Sequence, residues 1–403
     1  MKSAPVLLLL LLLFSCQKEE WLIDTPTCPE IQPQIGSLHP SSNALQALLE
    51  GSVQEGIPGI SAILYHPSAG LFMGTAGVSS IEQNTELLTC HVFPSASISK
   101  MYAAVLSLSL HDQGILDIDD LIANHLDSDL VSQLPNGTSI RLKHLMNHSS
   151  GLPEHENSLD LTFDAFHNPR LTFSSDQEYL PYIFNKKPLF PAGEGARYST
   201  SGVIVEDLVL EAITGQPHAE LFDQIITQSL DVQQTHFSNS PGYPFPEGII
   251  NQYWDVYGNG QLINSNSLSN SIEHEYYLGS SKVIFTAYDL FLFMKAVFED
   301  HHFFSEQSLN LMKEINFQEN STTDGYGLGL EIKISPEFGK RYGHQGGSIG
   351  VANHVYWYEN GGIIVLLTNV AGFFSSPLIR SLASEEMGDP ETLLGQYERI
   401  LLK

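Results

Sequence analysis

The sequence predicts an α+β fold, with one sheet assembled from both ends of the chain around a long helical middle. Three observations carry this. Apolar residues fall in short strand-like runs between residues 60 and 78, and again after Tyr326 with a period of two. Between those stretches the apolar spacing is helical. Asn360-Gly361-Gly362 then joins two late strands as a hairpin. No internal repeat, low-complexity tract or charge run interrupts the pattern.

Taken in order, residues 43–55 carry apolar side chains at 45, 48, 49 and 53, the stripe of an amphipathic helix, and Gly56-Ile57-Pro58-Gly59 ends it. Strands follow over 60–65 and 71–78, around a His66-Pro67-Ser68-Ala69-Gly70 turn. Pro94 and its serines start the next helix, which repeats Ile98, Met101, Tyr102, Val105 and Leu108 and stops at Gly114. A turn and short helix are expected over 116–126, and longer helices over 140–152 (with a Ser-Ser-Gly exit), 201–212, 286–299 and 308–315. Strands are expected over 328–334, 341–346, 354–358 and 363–368. Asp389-Pro390 caps a final helix that keeps Leu393, Leu394, Tyr397, Ile400 and Leu401 on one side. Residues 153–190 and 238–278 carry little pattern, and segments of this kind are expected to line a pocket.

Composition bounds the function. Forty-six acidic residues against 18 basic ones give a formal charge of −28, which disfavours nucleic acid as a partner. Despite 16 histidines, no cysteine or histidine cluster has zinc spacing, so neither a metal nor another cofactor is expected. Residues 1–15 read as a leader, with an apolar run too short to span a bilayer. Leu13-Phe14-Ser15-Cys16 resembles a bacterial lipobox, in which the cysteine is acylated. Gln17-Lys18-Glu19-Glu20 resembles the short signal that sends some lipoproteins to the outer cell surface. The expectation is an outer-membrane lipoprotein of the cell envelope, periplasmic or surface-exposed. Its membrane contact is the lipid on Cys16, with 16–40 as a tether, 41–375 as the main domain and 376–403 as a C-terminal helical segment. Cys28 and Cys90 remain; an exported compartment permits a disulfide between them and equally permits two free thiols.

The chemistry centres on Ser97 and Lys100. Three residues apart on a helix, they share one face, and a hydroxyl beside an amine is a nucleophile that can be activated. The spacing also occurs at Ser15 and Lys18, and Ser97 alone reads as a helix N-terminal serine. Tyr198, in Arg197-Tyr198-Ser199-Thr200 before a helix, is a packing residue or a proton shuttle. In Tyr342-Gly343-His344-Gln345-Gly346-Gly347, positions 342, 344 and 346 share a strand face. The bare Gly346 would let a substrate approach the backbone. By itself His344 reads as a satisfied core histidine.

In sequence order, Ser97-x-x-Lys100, His148-Ser149-Ser150-Gly151-Leu152, Pro191-x-Gly193 with Tyr198-Ser199, and His344-x-Gly346 resemble the serine β-lactamase and penicillin-binding superfamily. The class C-like branch is the nearest, with its DD-carboxypeptidases, D-aminopeptidases and esterases. The resemblance runs from about residue 40 to 372. It implies an antiparallel sheet flanked by helices beside an all-helical subdomain. It also implies acyl transfer by Ser97, with Lys100 and Tyr198 handling its proton. An oxyanion hole would come from the backbone N–H groups of Ser97 and Gly347, and substrate contacts from Thr200, His344 and Gly346.

Lysine is neutral in only about one molecule per few thousand at pH 7. Either its pKa is lowered to make it the base, or it stays charged and holds Tyr198 as the base; the sequence leaves both open. Thr200 stands where the family pattern has asparagine, which weakens recognition of an amide. His344 stands where β-lactamases have lysine, and offers a weaker, pH-dependent charge for a carboxylate. Arg341, three residues away along the strand, faces the other side. These departures argue against efficient antibiotic hydrolysis and for D-amino-acid peptides or small esters as substrates. The competing reading is a peptidoglycan- or β-lactam-binding module that acylates slowly or not at all. Gly325-Tyr326-Gly327-Leu328-Gly329 lacks the Lys-Ser/Thr of a phosphate loop and reads as glycines within a strand, and His301-His302 reads as an exposed helix end.

Overall fold

The first and last parts of the chain meet edge to edge. In the computed structural model, β1 (Gly59–His66) pairs antiparallel with β8 (Ile363–Thr368), with Ile60 opposite Thr368 and Tyr65 opposite Ile363. The described residues are 38–168, 173, 175–237, 248–266, 283–316, 324–372, 376–384 and 386–402. The leader, Cys16, most of the tether and Cys28 lie outside them, as does much of 238–278. Cys90 is disulfide-bonded, and the chain's other two cysteines both fall outside the described residues.

β2 (Gly70–Ser80) and β3 (Thr85–Glu86) extend the sheet on one side. On the other side come β7 (Val351–Tyr358), β6 (Gly339–Ser348), β5 (Glu331–Ser335) and β4 (Asp324–Tyr326). Among the described residues the order is β3-β2-β1-β8-β7-β6-β5-β4, with antiparallel pairing throughout. Both faces are covered, which explains the unbroken apolar runs of β1 and β8. Ile63, Val355, Val365 and Leu367 face a core built with the helix after Ser97 and its neighbours. Ile60, Ala62, Leu64, Ile364 and Leu366 face a second core with α1 (Ser42–Gln54) and the C-terminal helix (Leu393–Leu401). Truncating a fully buried leucine such as Leu45 or Leu366 to alanine costs about 2–5 kcal/mol.

The helix that follows Ser97, α2 (Ser99–Asp112), is buried from Ser99 through Leu110. α3 (Leu142–Met146), α4 (Thr200–Thr214) and α5 (Ala287–Phe298) pack in the same core, and Tyr102 of α2 stacks on Phe293 of α5 at 3.8 Å between ring centroids. Arg341 lies on the opposite face of β6 from His344, as the strand period requires. It is sealed in an ion pair with Glu398 of the C-terminal helix, its guanidinium 4.2 Å from the Tyr356 ring. That helix packs on α1, β1 and β8. No helix among the described residues is long and apolar enough to cross a membrane.

Four local expectations are corrected. The helix expected over 140–152 spans only Leu142–Met146, because His148 (φ 61°) and Gly151 (φ 73°) turn the chain out of it. Leu328 is not in a strand, since Gly327 N–H donates to the Leu330 carbonyl across a turn with Gly329 at φ 67°. The Gly325–Gly329 run is therefore a strand end and a turn. The C-terminal helix is capped by Thr392, whose hydroxyl accepts from Gly395 N–H at 3.1 Å, rather than by Asp389-Pro390. Ser97 itself sits in a 3-10 turn, Ala96–Ile98, ahead of α2.

Candidate active site

The turn that presents Ser97 is held on three sides. Phe93-Pro94 pairs with Val283–Phe285, and Ser95 N–H donates to the Val283 carbonyl at 2.8 Å. Asn353 of β7 donates to the Pro94 carbonyl at 2.8 Å. Ala96, immediately before Ser97, is buried with φ 48°, a left-handed conformation that costs a non-glycine residue about 1–2 kcal/mol.

β6 lies directly against this turn. A Cβ on Gly346 would collide with the Ser95 carbonyl oxygen and come within 3.3 Å of the Ala96 Cβ. The expected opening for substrate at Gly346 is therefore filled by the turn that carries Ser97. The open glycine is its neighbour: a Cβ on Gly347 would meet nothing within 4 Å.

Three of the side chains singled out in the sequence converge. Tyr198 Oη–H donates to Ser97 Oγ at 2.7 Å, and Lys100 Nζ donates to the same oxygen at 3.3 Å. Nζ also lies 4.9 Å from the centre of the Tyr198 ring. Burial of Lys100 (2 % exposed) restricts it to this small polar space.

Behind Tyr198 stand His148 and Tyr326, two rings to which the sequence assigned no role of their own, and beyond them His344. His148, left-handed and buried, packs at a tilt of 49° against both rings, its centroid 4.4 Å from that of Tyr198 and 4.5 Å from that of Tyr326. Its backbone carbonyl accepts from Arg197 N–H at 2.9 Å, and its Nδ1 accepts from Ser199 N–H at 3.3 Å, so one residue fixes the chain on both sides of Tyr198. Tyr326 is 2.8 Å from His344 Nε2, while His344 Nδ1 faces the Gln345 carbonyl oxygen. A carbonyl only accepts, so Nδ1 carries the proton and Nε2 accepts from the Tyr326 hydroxyl.

Burial dominates the electrostatics. It drives His344 down to about 3, so the pH-dependent charge expected there is absent at neutral pH. Burial likewise pushes His148 well below, and the Tyr198 and Tyr326 phenols well above, their usual ranges. Thr200, at the start of α4, is buried, and its N–H donates to the carboxylate of Glu154. Burial holds Glu154 up to about 7. Nothing in the sequence pattern marked Glu154; only its position just after Ser149-Ser150-Gly151-Leu152-Pro153 could have done so.

Among the described residues, Glu154, His155 and Glu156 bring ligand atoms within 4.8 Å of one another, close enough to share a cation. Glu154 is already engaged by Thr200 N–H and His155 Nδ1 lies 2.9 Å from Ser201 Oγ, so the group reads as a hydrogen-bonded brace. A cavity of about 470 Å³ opens beside Tyr198, walled by Glu154, Tyr182, Lys186, Phe190 and Arg197. Its walls come largely from 153–190, one of the two segments expected to line a pocket.

Comparison with known proteins bears on the family and the fold. Penicillin-binding protein 4* of Bacillus subtilis is 26% identical over 310 residues, covering 73% of this chain and 63% of that protein. The D-alanyl-D-alanine-carboxypeptidase/endopeptidase AmpH of Escherichia coli is 27% identical over 149 residues, 36% of this chain and 37% of its own length. The chain thus spans less than two thirds of the length of these curated relatives. Among solved structures, a D-stereospecific amidohydrolase from Streptomyces superposes with a TM-score of 0.70 at 22% identity, over 82% of this chain and 95% of its own. The D-amino acid amidase of Ochrobactrum anthropi gives 0.69 at 22% identity, over 89% and 95%. These superpositions establish the same fold, an antiparallel sheet flanked by helices. A family model described as Beta-lactamase matches residues 43–383, a stretch that opens with α1 and contains the whole of the Ser97 cluster, and the chain belongs to that family.

Proposed function

We propose that this protein is a serine hydrolase that forms an acyl-enzyme on Ser97 and acts on D-amino-acid peptides, their amides or small esters. The observation that carries this reading is the convergence of Tyr198 and Lys100 on Ser97 Oγ, at 2.7 and 3.3 Å. The names of the relatives, a D-alanyl-D-alanine-carboxypeptidase and D-amino acid amidases, support the D-amino-acid class.

Ser97 Oγ attacks the carbonyl carbon of the substrate as its proton leaves for the Lys100–Tyr198 pair. With the phenol pushed up by burial, Tyr198 rests protonated and donates to Ser97. The Lys100–Tyr198 pair accepts the Ser97 proton and delivers it to the departing amine or alkoxide. Charge on the carbonyl oxygen is met by the N–H groups of Ser97 and Gly347, a contribution that in such sites amounts to roughly 10²–10³ in rate. Collapse of the intermediate breaks the C–N or C–O bond. Water, deprotonated through the same pair, then attacks the acyl carbon and returns Ser97 to its hydroxyl form.

Labelling with a fluorophosphonate and with a fluorescent penicillin tests this, with Ser97→Ala as the control. Label that persists in Ser97→Ala removes Ser97 as the nucleophile. Absence of label together with absence of ester or D-peptide turnover favours the second reading, a peptidoglycan- or β-lactam-binding module, for which the Thr200 substitution speaks.

The cellular setting is part of the same proposal: the mature protein is anchored at the cell envelope by lipid on Cys16. Mass spectrometry of the mature N-terminus checks it. Acyl chains on Cys16 are expected, with release or failed processing in Cys16→Ala; an unmodified mature N-terminus at another residue overturns it.

A further inference from the structure

The cavity beside Tyr198 contains a charge that the protein leaves unanswered. Arg197 lines it, and among the described residues its side chain forms no ion pair or hydrogen bond. The other cation on the wall is occupied: Lys186 Nζ donates to Ser158 Oγ at 3.0 Å and lies 3.4 Å from Asp160. The backbone of Arg197 is fixed by its N–H bond to the His148 carbonyl, directly beside the tyrosine that touches Ser97.

The residue expected to grip a carboxylate, His344, cannot do so as a cation. It is 1 % exposed and both its ring nitrogens are occupied by protein atoms. The acid on the cavity wall, Glu154, is turned toward Thr200 N–H and His155. The remaining walls include Tyr182, Ile183, Leu189 and Phe190, which suit an apolar group.

We propose that Arg197 is the anion receptor of this site, and that the protein prefers acyl donors carrying a free carboxylate beside an apolar group over their neutral counterparts. A guanidinium presents a planar fork that matches a carboxylate with two parallel hydrogen bonds. Because Arg197 is exposed, the preference is modest, about fivefold to tenfold, and is screened by salt.

The assignment rests on Ser97 being the nucleophile, so the test separates the two. Labelling of Ser97 by a neutral fluorophosphonate reports on the nucleophile alone. Binding of a mono-succinyl aryl ester and of its methyl ester to Ser97→Ala, followed by titration calorimetry or ligand-observed NMR, reports on Arg197 without turnover. Tighter binding of the free carboxylate is expected, by about fivefold or more. In Ser97→Ala/Arg197→Ala this selectivity should collapse to about one, and Arg197→Lys should retain part of it, all variants having melting curves like that of Ser97→Ala. In the wild-type background the same collapse should appear in the ratio of kcat/KM values for the two esters. Equal binding of the two esters, or selectivity that survives Arg197→Ala, overturns the proposal even if Ser97 labels. Selective binding with no label at Ser97 overturns the nucleophile and leaves the anion receptor standing.

Discussion

Tyr198 donates a 2.7 Å hydrogen bond to Ser97 across 101 residues of chain. Tyr198→Phe keeps the ring packed against His148 and removes only the hydroxyl. Turnover of a p-nitrophenyl ester should fall by about 10²–10⁴, as for loss of a general acid–base group, with little change in melting temperature. Near-normal turnover would take Tyr198 out of the proton path.

The two adjacent glycines of β6 should behave differently. Gly346→Ala drives a methyl into the Ser95 carbonyl and should cost about 1–3 kcal/mol in denaturant unfolding, with loss of activity because the Ser97 turn shifts. Gly347→Ala enters open space and should leave stability within about 0.5 kcal/mol while changing substrate turnover. The reverse order of stabilities would contradict the packing of β6 on the nucleophile turn.

Arg341 and Glu398 are 3 % and 0 % exposed, and Glu398 also accepts from Tyr358 Oη at 2.7 Å. Arg341→Met alone strands a buried carboxylate and should cost about 3–5 kcal/mol. Arg341→Met/Glu398→Leu should recover most of that loss, which a double-mutant cycle in urea will read as coupling. A double variant no better than the single would mean that the pair does more than neutralise itself.

Stability should depend on pH in two stages. His344, His155 and His354 are held down to about 3 by burial, against 6.5 when unfolded. Below pH 6.5 the unfolded chain therefore binds more protons than the folded one, and stability falls with pH. Glu154 and Glu331, held up to about 7 against 4.5, act in the opposite sense. Their folded forms keep protons that the unfolded chain has released between 4.5 and 7, and that contribution is lost as pH rises through 7. Among these five groups the imidazoles outnumber the carboxyls, so urea midpoints should decline gently from pH 6.5 to 4.5 and steeply below 4.5, where the imidazoles still titrate and are joined by Asp112, Asp119 and Asp389, whose carboxyls are held below their usual range. A fall already steep from pH 6.5 would indicate that the two carboxyls ionise normally.

Much of the fold was legible because its signals are local. The stripe at Leu45 and Leu49, the apolar runs of β1 and β8 and the Asn360-Gly361-Gly362 hairpin each declare themselves within a few residues. Ser97 and Lys100 did not, since their spacing recurs at Ser15 and Lys18; the motifs around Tyr198 and His344 singled them out. What could not be read depended on partners distant in sequence. His148 leaves its helix because its ring is needed between Tyr198 and Tyr326, and no local propensity predicts a left-handed histidine. Gly346 looked open because its face was known but not the turn packed on it. His344 looked like a titrating charge because burial, which removes that charge, comes from the fold as a whole.

The pairing of β1 with β8 also sets an order of events. Ser97, Lys100 and Tyr198 are synthesised long before Gly346 and Asn353, the residues the nucleophile turn leans on. A nascent chain halted between Tyr198 and β6 would contain all three side chains and no wall to hold them. With contacts this distant in sequence, folding should be slow, and the Ser97–Lys100–Tyr198 cluster comes into being only when the last strands arrive.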